Sequence, residues 1–116
     1  MTALEPDPRG AERVREVFHR VRNGDSRVAD LYADDGVVLA NNLRVVGREA
    51  IRAFYRQAID SIHPQPTIRV LLESPPYYVA LVEVPTTNGT VHALDLFQLG
   101  EDGIRQLEIY NRVIPE

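Results

Sequence analysis

The sequence predicts an α+β domain in which helices pack on one face of a curved antiparallel sheet. Apolar residues recur at helical spacing in three segments before Pro64, whereas β-branched and apolar runs separated by Pro and Gly turns fill the chain after it. The element order is therefore α-α-β-β-α-β-β-β-β, which is typical of α+β domains. We interpret residues 1–116 as one domain, large enough to bury its own core.

The first helix is predicted over Pro8–Arg22. Asp7 is suited to the N-cap and Pro8 to the first helical position, and Gly24 is suited to a left-handed cap after the helix. Its apolar side chains recur three and four residues apart, at Val14, Val17, Phe18 and Val21. Ser26 is predicted to cap a second, short helix, which the acidic turn at residues 34–36 ends.

Two short strands are predicted next, Val37–Ala40 and Leu43–Val46, joined by a turn at Asn41-Asn42. A third helix then begins at Gly47 and ends before His63-Pro64. Its apolar positions lie three and four residues apart, at Ile51, Phe54, Tyr55, Ala58 and Ile62. The last four strands are predicted over Thr67–Glu73, Tyr77–Val84, Val91–Leu99 and Ile104–Ile114.

Composition excludes several classes of function. The chain has no cysteine, so thiolate chemistry and disulfides are excluded, and its three histidines show no metal-ligand spacing. Its net charge of −4 argues against nucleic-acid binding, and no apolar run approaches the length of a membrane span. We expect a cytoplasmic protein that needs no metal or other cofactor and contacts neither nucleic acid nor membrane.

Asp95 is the residue with the strongest chemical signal. It lies in an apolar strand and shares one strand face with Ala93, Phe97 and Leu99. Burial among apolar groups raises the pKa of a carboxyl, which suits it to donate or accept a proton near neutral pH. The alternative is a structural Asp whose oxygens are satisfied by backbone amides or by an arginine.

The arrangement resembles the nuclear transport factor 2-like superfamily, in particular its SnoaL-like and ketosteroid isomerase-like group. The segments that carry this resemblance are Asn23-Gly24-Asp25, Leu31–Asp35, Gly47–Ile51, Phe54-Tyr55, Asp95–Phe97, Gly103-Ile104 and Tyr110. The resemblance implies a conical fold in which the sheet wraps around a long helix and encloses a pocket for an apolar small molecule. It also implies a homodimer formed through the outer face of the sheet.

The resemblance implies a set of site residues and a range of reactions. Asp95 would be the catalytic acid or base and Tyr55 a polar catalytic partner. The substrate-binding positions would be Asn41, Phe97, Asn111, Leu107 and Tyr32. The implied chemistry is proton transfer by an isomerase or polyketide cyclase, or hydrolysis.

The usual isomerase positions are only partly matched. The position of the isomerase base is Ala40, and the position of the catalytic tyrosine on the first helix falls near Val17 or Phe18. Whether the chain is an enzyme therefore stays open. One alternative is a ligand-binding or dimerisation module without chemistry. Another is an association domain that binds a different protein through the face carrying Leu94, Leu96 and Ile114.

Overall fold

The computed structural model describes residues 8–113, in which three helices and six strands follow the predicted order. The helices are α1 (Pro8–Arg22), a 3₁₀ helix (Ser26–Leu31) and α2 (Arg48–Ile62). The strands are β1 (Tyr32–Ala40), β2 (Leu43–Val46), β3 (Thr67–Ser74), β4 (Tyr77–Thr86), β5 (Gly89–Gly100) and β6 (Gly103–Val113). Within the described residues, no helix is both long enough and apolar enough to cross a membrane.

The helix boundaries agree with the prediction except at one cap. Gly24 takes a left-handed φ of 67° after α1, and His63 takes a left-handed φ of 46° after α2. The 3₁₀ helix is capped by Asp25 rather than by Ser26, because the Asp25 carboxylate accepts the backbone N–H of Arg27 at 2.9 Å. The predicted cap of α1, Asp7, lies outside the described residues.

β1 begins at Tyr32, five residues before the predicted start. The acidic segment at residues 34–36 was expected to be a turn, but it forms an irregular part of the strand, where the pairing with β6 shifts register between Tyr32 and Val37. Gly36 fits there because its Cα lies against backbone, and a Cβ would meet the Ile104 carbonyl oxygen at 3.0 Å. Local composition therefore indicated a turn where contact with β6 imposes an extended chain.

The strands form a curved six-stranded sheet in the order β2-β1-β6-β5-β4-β3. Neighbouring strands are antiparallel except for β1 and β6, which run parallel. The sheet is thus mixed, whereas the sequence predicted antiparallel pairing throughout. Alternation along a strand shows which side chains share a face, but it does not give the direction of a partner far away in the chain.

The two faces of the sheet differ in cover. On the inner face, α1, the 3₁₀ helix and α2 bury a core that includes Val14, Val28, Tyr32, Val38, Ile51, Phe97, Ile104 and Leu107. On the outer face, large apolar side chains stay exposed; those of β3 to β6 are Val70, Leu72, Tyr77, Leu81, Leu94 and Tyr110. Ile114, predicted to extend this outer face, lies outside the described residues.

Candidate functional site

Side chains on the inner face of the sheet form three rows that run across neighbouring strands. In the first, the Phe97 row, cross-strand pairing aligns Tyr78, Phe97, Leu107 and Val38. All four are no more than 2% exposed. This row is packed core, in which large side chains meet those of the helices, as the edge-to-face contact of Phe97 with Phe18 shows.

The second row, the Asp95 row, is the next row on the inner face, two residues away from the Phe97 row along each strand. Pairing aligns Ala80 with Asp95, Asp95 with Ile109 and Ile109 with Ala40. Two of the four side chains are single methyl groups, so this row fills much less volume than the Phe97 row. A carboxyl group thus occupies a row of mostly small side chains directly above the sealed core.

The third row, the Asn111 row, faces solvent more openly. It aligns Val82, which is buried, with Ala93, which is half-buried, and Asn111, which is exposed. Exposure therefore increases from the Phe97 row through the Asp95 row to the Asn111 row. Of the two rows that neighbour the Asp95 row on the inner face, the Asn111 row is the more exposed.

The carboxyl of Asp95 is buried without a matching partner. Only 6% of the residue is exposed, and no donor among residues 8–113 makes a hydrogen bond to its Oδ1. Burial raises the pKa of Asp95 to about 7, because the charged form loses its hydration. Native proteins leave few buried polar atoms unpaired, and such an atom at a functional site often meets a ligand or a water.

A pair of buried tyrosines lies within electrostatic reach of Asp95. The hydroxyls of Tyr32 and Tyr55 are 2.5 Å apart and hydrogen-bonded. Burial raises the pKa of both phenols, most of all that of Tyr32, and the nearby Asp95 charge raises both further. Both tyrosines therefore stay neutral at physiological pH and act as hydrogen-bond donors rather than as bases.

The tyrosine pair and Asp95 provide two kinds of hydrogen-bond donor, a phenolic hydroxyl and a protonated carboxyl. The hydrogen bond between the two hydroxyls uses one of their two hydrogens, so the second is available to another oxygen. Protonated Asp95 supplies a further O–H, and ionised Asp95 supplies a base of roughly neutral pKa. Hydroxyl groups of this kind donate hydrogen bonds to carbonyl or phenolic oxygens, and a carboxyl of roughly neutral pKa can give up or take a proton.

The remaining predicted binding residues lie at different depths. Phe97, Leu107 and Tyr32 are core side chains below the Asp95 row. Asn111 is exposed in the row above it, and Asn41 is exposed in the β1–β2 turn with a left-handed φ of 54°. Contact of these residues with a ligand stays a prediction. The structure places the Tyr32 and Tyr55 hydroxyls in contact, with the Asp95 charge raising the pKa of both phenols. The resemblance implied Tyr55 as the polar partner of Asp95, but the bond between the two tyrosines was not expected.

Sequence analysis does not single out Arg48, which lies in the first turn of α2. Its guanidinium donates to the backbone carbonyl of Tyr32 at 2.7 and 3.2 Å and pairs with Asp34 at 2.7 Å. Arg48, Arg52 and Arg56 recur every four residues, a spacing typical of one helix face, and it does not distinguish Arg48 from the other two arginines. The contact of Arg48 with the Tyr32 carbonyl becomes visible only when β1 is placed beside the start of α2.

Three surface concavities are not lined by Asp95. One of about 560 Å³ is lined by the start of α1 and two turns of the sheet, and includes Arg9, Arg13 and Tyr78. Two others, of about 460 and 280 Å³, lie along strands β4 to β6 and at β1 and β6. Neither Asp95 nor the tyrosine pair lines any of these three, so the predicted apolar pocket stays a prediction.

Metal ligands are not clustered in the part of the chain that the structure describes. No group of three or more His, Asp or Glu side chains there is close enough to hold an ion. His92 lies on the outer face of β5, opposite to Asp95, and pairs in register with Arg112. It therefore makes no contact with the candidate site from this strand.

Comparison with solved structures identifies the fold. A candidate polyketide cyclase from Sinorhizobium meliloti superposes with a TM-score of 0.79 at 19% identity, covering 85% of this chain and 94% of that one. A candidate ketosteroid isomerase from Kribbella flavida gives 0.80 at 16% identity, covering 90% and 78%. The chain has the nuclear transport factor 2-like fold. The predicted α+β class and the resemblance are confirmed at this level.

Sequence comparison adds nothing more specific. No protein-family model matches the chain, and no curated protein matches it significantly. A de novo designed protein with a curved β-sheet shares the fold, with a TM-score of 0.77 at 15% identity over 90% of this chain and 84% of the design. Because a designed chain can adopt this fold, function has to be argued from the site.

Proposed function

We propose that the chain is a SnoaL-like protein that binds an apolar small molecule and transfers a proton through Asp95 without a cofactor. The observation that carries the proposal is the buried Oδ1 of Asp95, which has no hydrogen-bond partner among residues 8–113 and lies in a row that includes Ala40 and Ala80. A carboxyl kept near its point of ionisation at neutral pH is suited to acid and base steps alike.

The proposed chemistry uses Asp95 as the base and the tyrosine pair as the hydrogen-bond donor. Ionised Asp95 would take a proton from the carbon next to a ligand carbonyl, and the electron pair of the broken C–H bond would move onto the carbonyl oxygen. The free hydroxyl hydrogen of the tyrosine pair would stabilise the negative charge on that oxygen, and protonated Asp95 would then return the proton to carbon. Tyr55 is the polar partner in this scheme and Tyr32 supports it.

Support for the substrate class comes from the row geometry and from two relatives of the fold. Apolar walls and small side chains next to one carboxyl suit a ring-containing ligand that carries a single reactive oxygen. The structural relatives from Sinorhizobium meliloti and Kribbella flavida are named as candidate polyketide cyclase and ketosteroid isomerase. Both kinds of enzyme would act on cyclic or cyclising carbonyl compounds. We expect the ligand to enter past Asn111 and Ala93.

A thermal-shift screen tests this function. Wild type, Asp95→Asn and the control Glu83→Gln would be screened against apolar ketones, phenols, epoxides and steroids. Glu83 is a suitable control because its carboxylate faces away from the core and pairs with Arg69 at 3.0 Å. We expect at least one ligand to stabilise wild type and Glu83→Gln but not Asp95→Asn. Equal stabilisation of all three proteins would contradict the role of Asp95.

A second candidate function is ligand binding without chemistry. It is favoured by Ala40, whose methyl group occupies the Asp95 row where a second carboxyl could have acted as a base. Deuterium exchange separates the two functions. A ketone identified in the screen would be incubated with the protein in D₂O and followed by NMR. Exchange at the carbon beside the carbonyl, lost in Asp95→Asn, indicates catalysis, whereas Asp95-dependent binding without exchange indicates a binding module.

We further propose that a second copy of the chain covers the outer face of the sheet. The apolar side chains exposed there include Leu72 at 58% and Tyr110 at 59%, and large exposed apolar patches mark interaction sites. Light scattering should give a dimer mass for wild type and a monomer mass for the double variant Leu72→Asp/Leu94→Asp. Leu43→Asp, exposed at the edge strand β2, is the control and should remain dimeric. The cytoplasmic location stays a prediction.

A further inference from the structure

Helix α2 contacts Tyr32 at both ends of that residue. Arg48, in the first turn of α2, donates two hydrogen bonds to the Tyr32 backbone carbonyl, at 2.7 and 3.2 Å. Tyr55, two turns further along the same helix, bonds the Tyr32 hydroxyl at 2.5 Å. Residues seven apart lie on the same side of a helix, so α2 presents both groups to Tyr32 together.

Two glycines pack closely against Tyr32. At Gly103 a Cβ would meet the Leu31 carbonyl oxygen at 2.8 Å and the Tyr32 carbonyl carbon at 3.1 Å. At Gly36 the corresponding distance to the Tyr32 Cβ is 3.3 Å. The glycines thus let the chain approach Tyr32 closely, and the Arg48 guanidinium provides the side-chain hydrogen bonds to its carbonyl.

We propose that Arg48 is a positioning residue that holds Tyr32, through its backbone carbonyl, in the orientation where its hydroxyl bonds Tyr55. The inference depends on the proposed function for its catalytic meaning, because it concerns the same tyrosine pair. The effect of Arg48 on the hydrogen bond between Tyr32 and Tyr55 can be tested without any ligand.

Arg48 differs in this respect from Arg52, the next arginine on the helix. Arg52 pairs with Glu49 and Asp30, each at 2.7 Å, and these bonds connect side chains at the surface. Arg48 also has a surface ion pair, to Asp34, but Asp34 is almost fully exposed and such pairs contribute little. The feature special to Arg48 is a charge-assisted double hydrogen bond to the backbone, whose planar fork lysine does not reproduce.

NMR of protein labelled with ¹³C at tyrosine Cζ tests the inference, since this carbon reports the hydrogen bonding of its hydroxyl. The chain has five tyrosines, and Tyr32→Phe and Tyr55→Phe assign the two relevant signals. In Arg48→Met we expect the Tyr32 and Tyr55 signals to move by more than those of Tyr77 and Tyr110, which are exposed on the outer face. In Arg52→Met, the matched control, we expect both signals to keep their wild-type positions.

Two results would overturn the inference. One is an Arg48→Met spectrum in which the Tyr32 and Tyr55 signals are unchanged. The other is an Arg52→Met spectrum that changes them as much, which would show a general loosening of α2. If Arg48→Met does not fold, Arg48→Lys replaces it. Its signals should move in the same direction by a smaller amount, and unchanged signals would contradict the inference.

The outcome is separable from the test of proposed function. Shifted tyrosine signals together with no Asp95-dependent ligand would support the positioning role and contradict the proton-transfer function. An Asp95-dependent ligand with unchanged tyrosine signals would give the opposite result.

Discussion

The Phe97 row and the Asp95 row are neighbours on the inner face of the sheet, but they differ in side-chain size and in hydrogen bonding. The Phe97 row fills its space with four large or branched side chains that are at most 2% exposed. The Asp95 row, one step away on the same strands, contains two alanines and a carboxyl without a hydrogen-bond partner at Oδ1 in residues 8–113. The first arrangement maximises packing, and the second leaves hydrogen-bonding capacity unused.

The difference shows where this fold gains stability and where it can bind. Burying a polar oxygen without a partner costs about 1–3 kcal/mol, so the Asp95 row is a local loss in free energy. A structural anchor would be expected to have its oxygens satisfied by the protein. A group that binds a ligand is expected to lack a hydrogen-bond partner from the protein itself, as Asp95 Oδ1 does among residues 8–113.

The largest expected effect breaks the packed row. Phe97→Ala removes a fully buried ring that contacts Phe18, and we expect it to lower the free energy of unfolding by about 3–5 kcal/mol at every pH. Urea denaturation measures this loss. Leu43→Ala, at a side chain that is 51% exposed, is the control and should stay within about 0.5 kcal/mol of wild type. A loss for Phe97→Ala below that of the control would contradict the packed row.

The second effect concerns the dependence of stability on pH. The pKa of Asp95 is about 7 in the folded chain and 3.8 for an ordinary Asp. The unfolded state thus releases its proton first, and stability falls as pH rises from about 4 to about 7, then stays level. A shift of roughly three pH units corresponds to about 4 kcal/mol. Between pH 4 and pH 8, wild type should lose about this amount relative to Asp95→Asn.

Urea denaturation of both proteins across that pH range measures the difference, in which the other titrating groups cancel. Parallel stability curves would show that Asp95 is paired or hydrated in solution. A difference that grows in the opposite direction would show a carboxylate stabilised by the fold. Either result would remove the contrast between the two rows.

The smallest expected effect comes from a carboxylate on the opposite face. Glu83 pairs with Arg69 at 3.0 Å, and both side chains are substantially exposed. Exposed ion pairs contribute little, so Glu83→Gln should change the free energy of unfolding by less than about 1 kcal/mol. Urea denaturation at a single pH measures the change. A loss as large as that of Phe97→Ala would contradict the exposed, outward placement of Glu83.

Local sequence signals predicted most of the fold. Helical spacing gave the bounds of α1 and the end of α2 at Ile62, and the turns at Asn41-Asn42 and Pro75-Pro76 lie where expected. These features depend on residues close together in the chain. Alternation along β5 also predicted that Asp95 shares a strand face with Ala93 and Phe97, and the regular pairing of β5 with β4 preserves that alternation.

Features that depend on distant residues were not predictable in the same way. The start of β1 at Tyr32 and its parallel pairing with β6 require knowledge of a partner about seventy residues away. The hydrogen bond between Tyr32 and Tyr55 and the contact of Arg48 with the Tyr32 carbonyl follow from that placement. The candidate site was therefore only partly predictable, since single residues were identified and their contacts were not.

The position of β6 in the sheet has a consequence for the synthesis of this chain. β6 lies between β1 and β5, yet it follows all five other strands in the sequence. While the chain emerges from the ribosome, β1–β2 and β3–β5 can form only as separate hairpin-like pieces until β6 joins them. Long-range pairing of this kind slows folding. Nascent chains that stop before β6 should therefore expose apolar strand edges and depend on chaperones until the last strand is released.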